Sequence, residues 1–176
     1  MKNKNILNNT LIFITTATGL IWLGGYIARM LITFQLFDGT QFELKSIYSS
    51  GGLKIALETI NPAISYNLFT FPLFISFFVI YLVFGKLSLK QNGWFFVASI
   101  LILITAPFEF YLLSIDYKIV TEVFYNVQFD PNYILELTIK RFKVLSSFPM
   151  INVFTHFAVI YLFIFKPLTK SVSNEN

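Results

Sequence analysis

Four long apolar stretches alternate with more polar segments along this chain. They run from about residue 11 to 36, 68 to 84, 94 to 115 and 147 to 165. A hydrocarbon layer of about 30 Å is crossed by roughly 20 helical residues, so each stretch is long enough to span a membrane. The pattern predicts an all-α integral membrane protein. We expect a four-transmembrane-helix bundle that forms a single membrane domain over residues 1–176.

The first longer polar segment, residues 37–67, contains a helical pattern of its own. Apolar residues recur at spacings of three and four from Leu53 to Ile60, which is typical of an amphipathic helix. Asn61 and Pro62 follow directly, and this pair usually marks a turn or a helix end. We therefore predict a short amphipathic helix that stops before the second span begins.

The second longer polar segment, residues 116–146, predicts another amphipathic helix. Asp130 and Pro131 suit a helix start, because Asp caps the first turn and Pro needs no N–H at the first helical position. An apolar face follows, formed by Leu135, Ile139 and Phe142. Two interpretations stay open for both helices. They lie on the bilayer with the apolar side down, or they present a partner-facing surface.

The positions of the lysines predict the orientation of the chain. Six of them lie in the two tails and in the short connection after the second span, at Lys2, Lys4, Lys86, Lys90, Lys166 and Lys170. Cytoplasmic segments of membrane proteins are enriched in Lys and Arg, so both termini are expected in the cytoplasm. The polar segments 37–67 and 116–146 are then outer loops. The first apolar run is longer than a signal peptide requires, which predicts an uncleaved span.

Composition excludes several classes of protein. Hydrophobic residues make up 56% of the chain and charged residues only 12%, against roughly 25% charged in soluble domains. The lipid bilayer is therefore the expected surrounding, in a multi-pass protein of a cell membrane, with the bacterial inner membrane as the leading location. The net charge of +4 follows from the cytoplasmic lysines and does not imply nucleic acid.

The residues present give little support for a metal or cofactor site. The absence of cysteine excludes disulfides and thiolate ligands, and a single histidine excludes sites that need several imidazoles. A haem held by His156 together with Met150 or Met30 is chemically possible, but one candidate ligand pair is close to chance. We predict no cofactor and no metal site, and we find no catalytic motif.

Three ionisable residues lie within the predicted spans. Arg29, Glu109 and His156 are candidate functional residues, because a charged group inside a membrane costs roughly 2.5 to 3.5 kcal/mol on insertion scales. All three fall in the outer half of the predicted bilayer, where an ion pair between Arg29 and Glu109 is allowed. The alternatives are structural: Arg29 reaches the headgroups, or each group forms a hydrogen bond between helices.

These observations lead to two expected functions. The first is a non-enzymatic accessory or assembly subunit of a membrane complex, because the chain is small and has two outer apolar faces suited to a membrane-protein partner. The alternative is a small proton-linked transporter or permeation unit that uses Arg29, Glu109 and His156. This second function favours a homo-oligomer, since four spans enclose little volume. A membrane-embedded enzyme is a third and weaker hypothesis.

Overall fold

Most of the described chain is helical. A computed structural model describes residues 2–39, 41–49 and 51–169. Its elements, in chain order, are α1 (Lys2–Phe34), β1 (Phe37–Asp38), β2 (Glu43–Leu44), α2 (Ser46–Ser49), α3 (Leu53–Phe84), α4 (Gly93–Tyr125), α5 (Pro131–Lys143) and α6 (Phe148–Phe165). Within these residues, α1, α3, α4 and α6 are long and apolar enough to cross a membrane. The predicted all-α bundle with four membrane-length helices is confirmed.

The helix that begins at Leu53 does not stop where the sequence predicts. Asn61 and Pro62 lie inside α3, which continues without a break to Phe84. Pro62 is exposed, while Ile60 and Ile64 on either side of it are buried. The missing N–H of proline therefore falls on the open side of the helix, and packing of the neighbouring isoleucines outweighs the local turn preference.

Helix α4 is also longer than the predicted span. It runs ten residues past residue 115, to Tyr125. Asp116 and Ile119, which lie in this extension, are buried against other parts of the chain. Helix continues here because tertiary contacts cover one side of it, a factor that a local hydropathy pattern does not contain. What remains outside the long helices is a short β-hairpin, α2, α5 and the connections.

Glycine allows α3 to approach α1 closely. A Cβ added at Gly19 would lie 2.9 Å from Cε2 of Phe74, and one added at Gly25 would overlap the ring of Tyr66. Small residues at such positions let two helix backbones come together, which is how helices in membranes gain packing contacts. The two glycines thus hold α1 against α3, the most extensive helix pair of the fold.

The buried apolar side chains form two clusters, one above the other along the bundle. The first, which we call the bundle core, includes Trp22, Phe71, Phe74, Phe78, Phe95 and Val153. The second, the cap core, includes Leu57, Ile60, Ile119, Ile134, Leu137 and Phe142. Along α1 the bundle core reaches Ile27 and the cap core begins at Met30. Arg29 therefore lies at the boundary between them.

Candidate functional site

Asp116 of α4 joins two arginines inside the protein. Nη1 of Arg29 donates to Oδ2 of Asp116 and Nη2 donates to Oδ1, both at 2.5 Å. Nε of Arg141, on α5, donates to the same two oxygens at 2.9 and 3.0 Å. All three side chains are buried. Two-pronged contacts between guanidinium and carboxylate are among the strong hydrogen bonds of proteins.

Glu109 of α4 completes this set of charges. Nη2 of Arg141 donates to its Oε1 at 3.3 Å, and Nδ2 of Asn152 on α6 donates to its Oε2 at 3.1 Å. We call Arg29, Glu109, Asp116 and Arg141 the charge cluster. It contains two guanidinium groups and two carboxyl groups, so the four residues neutralise one another when all are ionised. Its members come from α1, α4 and α5, which it therefore ties together.

Electrostatics hold Arg141 in its charged form. Burial opposes the charge on its guanidinium, but the nearby Asp116 and Glu109 carboxylates outweigh burial and raise the pKa of Arg141 above its ordinary value. The same guanidinium lies over the ring of Tyr26, 5.7 Å from its centroid, where the ring face attracts a cation. Arg141 is thus a permanent positive charge at the centre of the cluster.

Asn152 connects the charge cluster to His156 one turn further along α6. Nδ1 of His156 lies 2.8 Å from the backbone oxygen of Asn152. The imidazole packs edge-on against Trp22 at a centroid distance of 4.6 Å. His156 is therefore part of the bundle core, and it is linked to Glu109 through one residue, without a direct contact in the described structure.

The structure changes the predicted partner of Arg29. The sequence allows a pair with Glu109, but Arg29 binds Asp116 and Glu109 binds Arg141. Seven residues separate Glu109 from Asp116, which is about 10 Å along a helix. Arg29 therefore contacts α4 at Asp116, and the cation that binds Glu109 is Arg141 of α5.

Sequence reasoning missed Asp116, Arg141 and Asn152. Two local signals point to the first two. Glu109 and Asp116 are seven residues apart and so lie on one side of α4, within an otherwise apolar stretch. Arg141 follows Ile134 and Leu137 at helical spacing, on the side of α5 that is buried. A charged residue on an apolar side predicts a buried partner, because an unpaired buried charge is costly.

The predicted partner-facing surface is largely covered by the chain itself. Phe142 is buried, and its ring lies 5.4 Å from the ring of Phe42 and 4.7 Å from that of Phe34. Leu135 and Ile139 are half-buried and pack against the cap core. The residues that α5 buries most deeply are turned toward α3 and α4, so this helix closes one end of the bundle.

The candidate haem ligands lie in different surroundings. Met30 packs against the cap core and Met150 is about half exposed, whereas His156 is in the bundle core. Among the described residues there is no group of three or more His, Asp or Glu side chains arranged to hold a metal ion.

An apolar cavity of about 310 Å³ lies beside His156. Its walls come from α1, α3, α4 and α6 and include Gly19, Phe74, Ala98, Ile102, His156 and Ile160. Almost every lining group is hydrocarbon. The charge cluster is absent from these walls, so in the described residues the charges and the cavity are separate features.

Neither a protein-family model nor a curated protein nor a solved structure matches this chain. Its class follows from the helices themselves: four of membrane length make it a multi-pass membrane protein.

Proposed function

We propose that this protein is a non-enzymatic accessory or assembly subunit of a membrane complex. The observation that carries the proposal is that the charge cluster is closed. Each of its groups binds another member at hydrogen-bond distance, and each is buried. Catalysis or ion conduction needs a polar group that substrate or water can reach. A buried set of mutually paired charges instead serves to fix the arrangement of the helices that carry it.

Helix lengths support an arrangement in which one end projects from the membrane. Helices α1 and α4 have 33 residues each and α3 has 32, about 50 Å at 1.5 Å per residue. The hydrocarbon layer is only about 30 Å thick. The lysines of both tails and of the α3–α4 connection lie at the opposite end of the bundle and favour a cytoplasmic position for that opposite end. The cap core and α5 then lie on the outer side of the membrane. We propose that this membrane is the bacterial inner membrane and that amphipathic α5 lies at the bilayer boundary.

The projecting end offers a surface for a membrane-protein partner. Phe124, Tyr125 and Val127, at the end of α4 and in the next connection, are 74%, 84% and 83% exposed. Apolar side chains grouped in this way and surrounded by water favour protein contact. This surface replaces the face of Leu135 and Ile139 as the candidate partner site, since that face is used within the chain.

Mass measurement of the intact particle tests the subunit proposal. The protein is extracted into native nanodiscs and its composition is read by native mass spectrometry. We expect a second, different protein in the particle, lost in Tyr125→Ser. The control is Ile47→Ser, which changes a large apolar residue on α2 that is 70% exposed and should retain the partner. A particle that contains only copies of this chain contradicts the proposal.

Cysteine labelling tests the orientation, because the chain has no cysteine of its own. We would introduce single cysteines at Glu136, exposed on α5, and at Lys90, exposed in the α3–α4 connection. In intact cells a membrane-impermeant maleimide should label Glu136→Cys at once and Lys90→Cys only after permeabilisation. The opposite result would place both termini outside.

One observation favours the alternative, a proton-linked transporter or permeation unit. Arg141, Glu109, Asn152 and His156 form a connected series of polar contacts that leads from the charge cluster into the bundle core. Proton carriers in membranes use such series of carboxyl and imidazole groups. The test is proton uptake into proteoliposomes under a pH gradient, comparing Glu109→Gln with the exposed-site control Glu58→Gln. Uptake that is lost only in Glu109→Gln supports the transporter, and unchanged uptake removes Glu109 from any mechanism.

A further inference from the structure

The apolar cavity has the size and the lining of a small ligand site. Its volume of about 310 Å³ is at the lower end of the range of roughly 300 to 1,000 Å³ that ligand pockets occupy. The walls are formed by buried side chains such as Phe74, Phe78 and Ala98. Four helices contribute to them, so the cavity is a feature of the assembled bundle. Its chemistry suits a hydrocarbon chain.

The cavity is open on one side of the bundle. Leu20 of α1 and Ile164 of α6 line it, yet they are 52% and 63% exposed. Helices α1 and α6 therefore leave a gap through which the cavity reaches the outer surface of the bundle. In the proposed arrangement this surface faces lipid. A ligand that enters here comes from the membrane and needs an apolar chain.

His156 adds a specific chemical requirement. Its Nδ1 lies 2.8 Å from the backbone oxygen of Asn152, and a carbonyl oxygen only accepts hydrogen bonds, so Nδ1 carries the proton. In the neutral imidazole the other nitrogen, Nε2, is then an acceptor. The side chain lines the cavity and is only 5% exposed, and Nε2 has no hydrogen-bond partner in the part of the chain that the structure describes. Buried polar atoms are normally satisfied.

We propose that this cavity binds a single-chain lipid alcohol. The chain of the ligand lies along Phe74 and Ile160 and leaves between α1 and α6. Nε2 of His156 is itself buried, so the imidazole turns toward the cavity when the hydroxyl group of the ligand donates a hydrogen bond to it. A hydroxyl supplies the donor that Nε2 needs, and a single chain fits a cavity of this volume. The site is separate from the subunit proposal, which concerns the outer end of the bundle.

Fluorescence quenching provides a direct test. Both tryptophans of the chain, Trp22 and Trp94, are near the site: Trp94 lines the cavity and Trp22 contacts His156. Delipidated protein in nanodiscs is titrated with a brominated long-chain alcohol, and in parallel with its methyl ether, which lacks the donor. We expect saturable quenching, with the alcohol bound roughly five-fold more tightly than the ether, the value of one net hydrogen bond.

Two substitutions separate the cavity from its surroundings. Ala98→Phe fills the cavity, and we expect it to weaken saturable binding of the alcohol at least ten-fold. Val97→Phe places the same ring on the neighbouring, exposed position of α4, which does not line the cavity, and should bind normally. Equal quenching in wild type and Ala98→Phe would overturn the site.

A third substitution tests the role of His156. His156→Phe keeps a ring but removes the acceptor, and it should bind alcohol and ether equally. If this variant fails to fold, the wild-type comparison decides, because equal affinities for alcohol and ether overturn the assignment to His156. The hydroxyl group of Tyr81 also lines the cavity and lacks a hydrogen-bond partner among the described residues, so it is the competing acceptor. A preference lost in Tyr81→Phe but kept in His156→Phe overturns the assignment as well. A Soret absorption band in the purified wild-type protein would identify a haem in place of a lipid and would overturn the proposal.

Discussion

Neutralising Asp116 should strongly destabilise the protein, because this carboxylate binds both arginines of the charge cluster. In Asp116→Asn the side chain keeps nearly the same shape but loses its charge, and one of the two atoms facing the guanidinium groups becomes a donor. Arg29 and Arg141 each lose an acceptor, since both contact the two Asp116 oxygens at 2.5 to 3.0 Å. Two buried cations then share Glu109 as their remaining anion.

The size of this effect follows from the burial of the cluster. Asp116 is 0% exposed and its arginine partners are 4% exposed, so water cannot replace the lost charge. Breaking a buried ion pair by removing one partner costs about 3–5 kcal/mol. We expect Asp116→Asn to lower the free energy of unfolding by an amount in this range, a large part of the total stability of a typical domain.

Unfolding in mixed micelles, followed by tryptophan fluorescence, measures the effect. The matched control is Glu58→Gln, which neutralises an exposed carboxylate on α3 and should leave the unfolding midpoint unchanged. A second variant tests the cause: Arg29→Met in the Asp116→Asn background leaves one arginine and one glutamate, and so restores neutrality. We expect this double variant to be more stable than Asp116→Asn by about 1–3 kcal/mol.

The reasoning fails if Asp116→Asn unfolds at the same midpoint as Glu58→Gln. It also fails if the effects of Arg29→Met and Asp116→Asn simply add, because independent effects would mean that the two side chains do not interact in the folded protein.

Three further predictions concern packing and capping. Gly25→Ala should lower stability in thermal melts by about 1–3 kcal/mol, because its new Cβ overlaps a ring of α3. At Gly24 an added Cβ meets no described atom within 4 Å, so Gly24→Ala should be harmless in the same measurement. Asp130→Ala removes the side chain that caps α5, and the expected loss of about 1 kcal/mol should be recovered in Asp130→Ser. Phe142→Ala should lower the free energy of unfolding by about 3–5 kcal/mol and Leu135→Ala by clearly less. Equal losses of stability would contradict the burial of Phe142 against the rings of Phe34 and Phe42.

Local sequence patterns point more clearly to two members of the charge cluster than to the other two. Arg29 and Glu109 stand out because a charge within an apolar stretch is costly and therefore conspicuous. Asp116 directly follows the predicted third span and Arg141 lies in an amphipathic helix between two spans. Charges are common at both kinds of position, and the burial of these two residues depends on the extension of α4 and on the position of α5. The sequence alone therefore singles out half of the cluster and leaves its pairing open.

The sequence by itself determined the helical class, the four membrane-length helices and the start of α5 at Asp130. These features depend on interactions within about one helical turn or on the mean apolarity of roughly 20 residues, and both can be read locally. The tertiary structure decided that α3 continues through Asn61 and Pro62, that α4 extends to Tyr125, which charges pair, and where a cavity forms. Those outcomes depend on distances between segments 25 to 87 residues apart in the chain, from Arg141 and Asp116 to Arg29 and Asp116, and no local pattern fixes such distances.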